Sequence, residues 1–354
     1  MNPLESQLVY PFAEAIPEKG TVLEVAPGVN WTRMALPFAL DHINVWLLKD
    51  DPEMLHGDGS GWTIVDCGVN NDATHDAWQG IFNDSLDTLP VKRVLATHCH
   101  PDHVGSAHWL CERWQAPLWM SAAEFGFARM MSAALPGADG TSALPHFMRH
   151  GVQDSALITQ LRERRNYYPS LVPELPSSYH RIQDGEAIRI GRHDWRVITG
   201  FGHSPEHVSL YCAALNVLIS GDMVLPRIST NVSVFAIEPE ANPLQLYLDS
   251  LKKYGSLPHD TLVLPSHGKP FRGLHTRITQ LQDHHAVRLA EVRAACRTPQ
   301  SAADIVPIMF KRALDAHQLS FALGEALAHL HYLWREGSLH RKFDDKGVCR
   351  FRIT

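Results

Sequence analysis

At residues 96–105 the chain reads ATHCHPDHVG, and the run that leads into it, VKRVLAT, is short, apolar and strand-like. His98, His100, Asp102 and His103 therefore crowd into the single turn after a strand. Such a cluster serves neither a core nor a helix cap, because unpaired buried charge is costly. Imidazole and carboxylate do suit a shared zinc, iron or manganese ion. In an extended loop, residues two apart project to the same side, so His98 and His100 can hold one ion while the next turn aims Asp102 and His103 at a second. Ligands must converge on one point, so the rest of the fold has to bring further donors to this turn.

Other strand ends carry such donors. GTVLEVAPGVNW, INVWLLKD and GWTIVDCGV read as strands and turns before a helix near 72–84, and the third ends at Asp66. An amphipathic helix begins near Gly105. Strands resume with EAIRIGRHDWRVITGFGHS, VSLYCAALNVLISGDMV and DTLVLPSHGKP, which run out at His203, Asp222 and His267. Taken singly, each has a bland reading: His203 a cap or surface histidine, Asp222 a turn or N-cap aspartate, His267 a loop residue, Asp66 the close of its strand. Their recurrence at successive strand ends favours convergence. A carboxylate has two oxygens, so Asp222 can bridge two ions.

Composition narrows the setting. A chain of 354 residues predicts one large domain with an appendage, and its 45% hydrophobic content can fill a sizeable core. The net charge of −6 gives no global basic field for nucleic acid. Six scattered cysteines without CxxC spacing, an N-terminus without a basic segment followed by an apolar run, and no stretch of about 18 apolar residues predict a cytoplasmic protein with neither disulfides nor a membrane span.

THCHPDH together with DCG, GHSPEH, SGD and PSHG, in this order, resembles the metallo-β-lactamase fold superfamily, more closely its glyoxalase II-like (hydroxyacylglutathione hydrolase-like) branch, over roughly residues 20–275. The resemblance implies an α+β fold, a four-layer αββα sandwich of two mixed sheets flanked by helices, with a dinuclear site along one edge. It assigns His98, His100 and His203 to one metal and Asp102, His103 and His267 to the other. Asp222 would bridge the two, and Asp66 would orient a ligand from outside the coordination shell. β-Lactamases of the common zinc type place a cysteine where Asp222 stands and lack the histidine after Asp102, which argues against antibiotic hydrolysis. Single-iron persulfide dioxygenases share much of the pattern.

The expected cofactors are two divalent ions, zinc foremost, with iron or manganese also suited. The expected activity is hydrolysis of a thioester or ester of the acyl-glutathione or acyl-CoA type by a hydroxide held between the ions. Coordination lowers the pKa of water from about 15.7 towards 7 and polarises the carbonyl. Asp102 and Asp222 are the expected catalytic carboxylates, the first orienting the hydroxide and the second bridging the metals. No serine or cysteine nucleophile is needed, and Cys99 is read as packing. Residues 120–180 read as a helical insertion. Met130, Met131, Phe147, Met148, Arg164, Arg165, Tyr167 and Tyr168 would either roof the pocket for an acyl chain on an anionic carrier or pack as a helical hairpin.

The sequence divides into a catalytic domain, 1–275, and a C-terminal module, 276–354. A long helix from residue 275, a break at Pro299, a helix from Ser301 to Arg312, a third with Leu323, Leu327, Leu330 and Leu333 or Trp334 at helical spacing, and two short strands joined at 344–347 are expected. This order resembles the winged-helix module of the β-lactamase-like protein 2 group, which includes endoribonucleases. Six Lys/Arg against three Asp/Glu over 335–354 could contact phosphates, so a ribonuclease is the main rival and a lactonase another. Nucleic acid is not favoured in an acidic chain. The module also suits a homodimer, or a non-enzymatic protein that docks partners, although the intact ligand set argues for catalysis.

Overall fold

The computed structural model describes residues 4–38, 40–51, 59–155, 158–159, 162 and 167–354. Its first sheet has seven strands in sequential order, β1 (Leu23–Ala26), β2 (Val29–Ala35), β3 (His42–Asp50), β4 (Gly61–Val65), β5 (Val91–Leu95), β6 (Leu118–Met120) and β7 (His180–Arg181). The pairs from β1 to β4 are antiparallel and those from β4 to β7 parallel. The second sheet orders β12-β11-β10-β9-β8, from β8 (Ala187–Ile190), β9 (His193–Gly200), β10 (His207–Cys212), β11 (Val217–Gly221) and β12 (Leu262–Pro265). Only β11 and β12 in it run parallel.

Side chains alternate across a strand, and the cores follow that period of two. In β3, Trp46 and Leu48 join Val65 of β4, Leu95 of β5 and Trp195, Leu210, Ile219 and Leu264 of the other sheet in one buried cluster between the sheets. Val45 and Leu47 point the opposite way, against Trp78 and Ile81 of the helix Asp72–Asp84 and Leu110 of the helix Ala107–Trp114. On the far side, Ile198, Leu218 and Val263 meet Leu244 and Tyr247 of the helix Pro243–Lys252 and Leu274 and Leu281 of the helix Leu274–Ala295. Two sheets with a helical layer outside each make the expected αββα sandwich. Strands buried on both faces explain why they read as nearly unbroken apolar runs.

The C-terminal segment continues with the helices Ala302–Met309 and Ala316–Arg335 and a hairpin of β13 (Leu339–Phe343) with β14 (Cys349–Ile353). A capping box starts the first of these: the Ser301 hydroxyl accepts from Asp304 N–H, and the Asp304 carboxylate accepts from Ser301 N–H. Leu323, Leu327, Leu330, Ile305 and Phe351 belong to the same buried cluster as the outer face of the second sheet, so this segment closes that layer.

Residues 120–180 differ from a simple roof. They contain the helices Ala122–Ser132, Ala143–Arg149 and Tyr167–Leu171, and both Tyr168 and Phe147 are buried in the two outer clusters. Met148 stays exposed. Arg164 and Arg165 lie outside the described residues. Among the described residues no helix is long and apolar enough to cross a membrane, and all six cysteines are buried with free thiols.

Candidate metal centre

The donors meet where the ends of β4 and β5 face those of β9, β11 and β12. Asp66 follows β4 with φ at 65°, a left-handed conformation that costs a residue with a Cβ roughly 1–3 kcal/mol. Its fully buried carboxylate accepts the Thr97 N–H at 2.8 Å and the Thr97 hydroxyl at 3.0 Å, and lies 2.9 Å from His103 Nδ1. One turn of helix, Pro101–Val104, carries Asp102 and His103 away from the His98–His100 stretch. Val208 N–H bonds to Thr97 O at 2.8 Å and Ser266 N–H to Gly221 O at 3.2 Å, which locks the strand ends together.

Hydrogen bonds on the outer ring nitrogens fix the tautomers. His203 Nδ1 lies 2.7 Å from Asn231 O and His267 Nδ1 lies 2.8 Å from His42 O, and a carbonyl can only accept, so both Nδ1 atoms carry the proton. The single Thr97 hydroxyl proton goes to Asp66, so that oxygen accepts from His98 Nδ1 at 3.0 Å. Each of these rings, with His103, turns Nε2 inward.

Two groups of donors result, His98, His100, His203 and Asp222 in one and Asp102, His103 and His267 in the other. All seven ligand candidates from the sequence are brought together. In the first group His98 Nε2 lies 2.9 Å from His100 Nδ1 and 3.2 Å from His203 Nε2, and His203 Nε2 lies 3.3 Å from Asp222 Oδ2. In the second, Asp102 Oδ2 is 3.5 Å from His103 Nε2 and 3.4 Å from His267 Nε2. Asp222 Oδ1 turns to this second group, 3.7 Å from His103 Nε2 and 3.5 Å from His267 Nε2. Bonds of about 2.0–2.1 Å in a tetrahedral shell put ligand atoms about 3.3 Å apart, so the observed spacings fit a zinc-sized ion. His103 Nε2 and Asp222 Oδ1 are also buried without a hydrogen-bond partner, as donors reserved for a cation would be.

Charge is arranged to match. Burial, then neighbouring imidazoles, hold His98 well below its ordinary pKa, and burial with His203 holds His100 at about 3. Burial also opposes charge on His103 and His267, but the surrounding aspartates win. Asp102, Asp66 and Asp222 push His103 well up, and Asp222 and Asp102 raise His267 to about 10. Burial would raise both Asp102 and Asp222, yet these imidazoles hold both carboxyls well below the usual range. A cation binding there takes the place of protons on His103 and His267.

Several supporting residues are not apparent from the sequence. His207, fully buried, accepts the Asp222 N–H on Nε2 at 3.0 Å. Gly221 has φ at +53°, and a Cβ on it would stand 2.3 Å from that same nitrogen. Glu124 accepts Cys99 N–H at 2.9 Å, and the Tyr168 hydroxyl donates to Cys99 O at 2.5 Å. Asn44 and Arg33 hold Gly268 O at 2.9 and 2.6 Å, next to His267. The second histidine of GHSPEH was the only local signal among them. Cys99 is buried with its thiol pushed up by burial and by Glu124, in keeping with a packing role.

Comparison with known proteins agrees with this geometry. Residues 40–267 match the metallo-beta-lactamase superfamily, and residues 289–354 match the metallo-beta-lactamase-like, C-terminal domain. The crystal structure of a beta-lactamase domain protein from Burkholderia ambifaria superposes with a TM-score of 0.94 at 57% identity, covering 100% of both chains. A Bacillus subtilis (strain 168) protein named "Probable metallo-hydrolase YqjP" is 24% identical over 334 residues, 89% of this chain and 95% of that one. A hydroxyacylglutathione hydrolase from Prochlorococcus marinus (strain MIT 9301) is 23% identical over 182 residues, 51% of this chain and 52% of its own. With 228 consecutive residues, 40 to 267, under the superfamily match and its donors gathered at the strand ends, the chain belongs to the metallo-β-lactamase superfamily.

Proposed function

We propose that this protein is a dinuclear metal-dependent hydrolase, with zinc the favoured ion, that cleaves acyl thioesters or esters of the acyl-glutathione or acyl-CoA type. The observation that carries the reading is the Asp222 carboxylate, with Oδ2 3.3 Å from His203 Nε2 and Oδ1 3.5 Å from His267 Nε2. Each oxygen faces a different donor group, the arrangement of a bridging ligand. Two divalent cations held there would supply Lewis acidity, making a bound water acidic near neutral pH and polarising the acyl oxygen.

The chain's own groups do the rest. His98, His100 and His203 would hold one ion, Asp102, His103 and His267 the other, and Asp66 keeps His103 turned inward. Asp102 is held well below the usual carboxylate range, so it is a weak base. It therefore suits accepting a hydrogen bond from the attacking water and orienting it, in preference to removing its proton. A thiolate leaving group needs little protonation, so solvent can supply the proton. The similarity to a hydroxyacylglutathione hydrolase supports the thioester class.

The test is thiol release from a panel of acyl-glutathione and acyl-CoA thioesters by zinc-loaded protein, with Asp222→Asn as the control. Turnover that drops in the variant by more than the roughly 10–100-fold typical of an outer hydrogen-bond partner is expected. Absence of turnover across the panel with both sites filled would sink the thioester reading.

A further inference from the structure

The helix Ala122–Ser132 stands behind the site with a carboxylate in its first turn. Glu124 is fully buried. Its Oε2 accepts the Cys99 N–H at 2.9 Å, and its Oε1 accepts the Ser204 hydroxyl and the Glu206 N–H, both at 2.6 Å. Cys99 lies between His98 and His100, and Ser204 follows His203. One side chain thus receives both loops that deliver the three histidines of the first donor group.

The contact is reciprocal. Glu206 Oε2 accepts the Ala123 N–H at 3.3 Å, and the Ser121 hydroxyl donates to Glu206 O at 2.9 Å. Tyr168 takes the other side of the same residue, its hydroxyl donating to Cys99 O at 2.5 Å. The backbone of Cys99 is therefore gripped at N–H and at C=O by residues of the 120–180 segment. By contrast, the second donor group leans on different supports: Asp66 at His103, and the His42 carbonyl at His267. Among the described residues, no hydrogen bond from Glu124 reaches either of them.

A shell of three imidazoles tolerates little error. His98 Nε2 sits 2.9 Å from His100 Nδ1 and 3.2 Å from His203 Nε2, although His203 arrives from a chain segment 105 residues away from His98. A fixed link between the two loops serves that spacing, alongside the Val208 N–H bond to Thr97 O and the Asn231 carbonyl at His203. We propose that Glu124 is a positioning residue that holds the His98–His100 loop and the His203 loop at the separation the first metal site requires, and so sets the affinity of that site in preference to the second.

The chemistry of its surroundings suits a carboxylate alone. Burial pushes the Glu124 carboxyl up, while the Cys99 thiol and N–H, the Ser204 hydroxyl and the Glu206 N–H all favour the charged form. Every neighbour named is a donor. Glu124→Gln keeps the shape but turns an NH2 towards one of those donors, leaving a buried N–H or O–H without an acceptor.

The inference rests on the two-ion reading above, and the test separates the two. His267→Ala removes a ligand of the second site, and His203→Ala one of the first. Zinc affinity is measured in each background by chelator competition on the full chain, with metal content by mass spectrometry. Unaltered protein is expected to hold two ions; one ion or none would overturn the two-ion reading and this inference with it. Glu124→Gln is expected to weaken zinc binding roughly 10–100-fold in the His267→Ala background and to leave the His203→Ala background unchanged. Equal affinity with and without the substitution, or an equal loss in both backgrounds, would overturn the role of Glu124 alone. Glu124→Asp, which keeps the charge but withdraws it by one methylene, carries the same expectation should the Gln variant fail to fold, as judged by circular dichroism.

Discussion

The backbone N–H of Asp222 donates to Nε2 of His207 across 3.0 Å, with His207 fully buried. An imidazole that spends its lone pair on a peptide N–H is not free to bind a metal. His207 instead fixes the chain at the residue whose carboxylate faces both donor groups. His207→Ala leaves that N–H unpartnered, at about 1–3 kcal/mol, and opens a cavity besides. Urea denaturation should show a loss of at least about 2 kcal/mol, and dialysed protein should retain less zinc. A variant as stable as the parent would show that the bond does little.

Metal binding is expected to release protons. Against burial, Asp222 and Asp102 hold His267 at about 10, and Asp102, Asp66 and Asp222 raise His103 well up, so both carry protons at neutral pH. Below about 10 an entering cation must displace the His267 proton. Affinity for the second site should then fall about tenfold per pH unit for each protonated ligand as pH drops. Calorimetry in buffers of different ionisation enthalpy counts the protons, and a value near zero at pH 7 would contradict the charge arrangement.

Glu325, on the helix Ala316–Arg335, is a source of pH-dependent instability. Burial pushes its carboxyl from the ordinary 4.5 up to about 7, with Arg288 opposing. The folded state therefore binds the proton more tightly than the unfolded state. Stability from this group is fully present below pH 4.5, declines as pH rises, and is lower by about 3 kcal/mol above pH 7. Glu325→Gln should raise the melting temperature at pH 8 and change it little at pH 4.5. The same shift at both values would argue against a titrating Glu325.

Gly324 faces the loop that follows Asp222. A Cβ there would come within 2.7 Å of Ser233 Cβ and Oγ, beside the bond from Val234 N–H to Gly324 O at 3.2 Å. Overpacking of this kind costs about 1–3 kcal/mol, so Gly324→Ala should destabilise by that amount. Adding Ser233→Gly removes both atoms and should restore most of the loss. Chemical denaturation of the single and double variants decides it.

Much of the architecture is legible in the sequence. The strands β4, β11 and β12 are short, apolar and bounded by turn residues, and their ends carry Asp66, Asp222 and His267 respectively. The helix Asp72–Asp84 falls where the sequence places one, near 72–84, and the structure adds its Asn71 cap, whose side chain accepts from Thr74 N–H. The 120–180 segment was harder. Its interrupted helical pattern fits a roof as well as a support, and only the burial of Tyr168 and Glu124 shows that it grips the Cys99 backbone from behind.

The sequence by itself determined which groups can serve as ligands, because a motif such as His98-Cys99-His100-Pro101-Asp102-His103 is local and imidazole and carboxylate chemistry does not depend on the rest of the chain. Tertiary structure alone decided which atom of each ligand faces inward and what holds it there. Asn231 sets the tautomer of His203 from 28 residues away, and Glu124 reaches Cys99 and Glu206 across 25 and 82 residues. Such bonds form only once the sheets have stacked and brought distant loops within about 3 Å, and no periodicity in the sequence encodes a contact of that range.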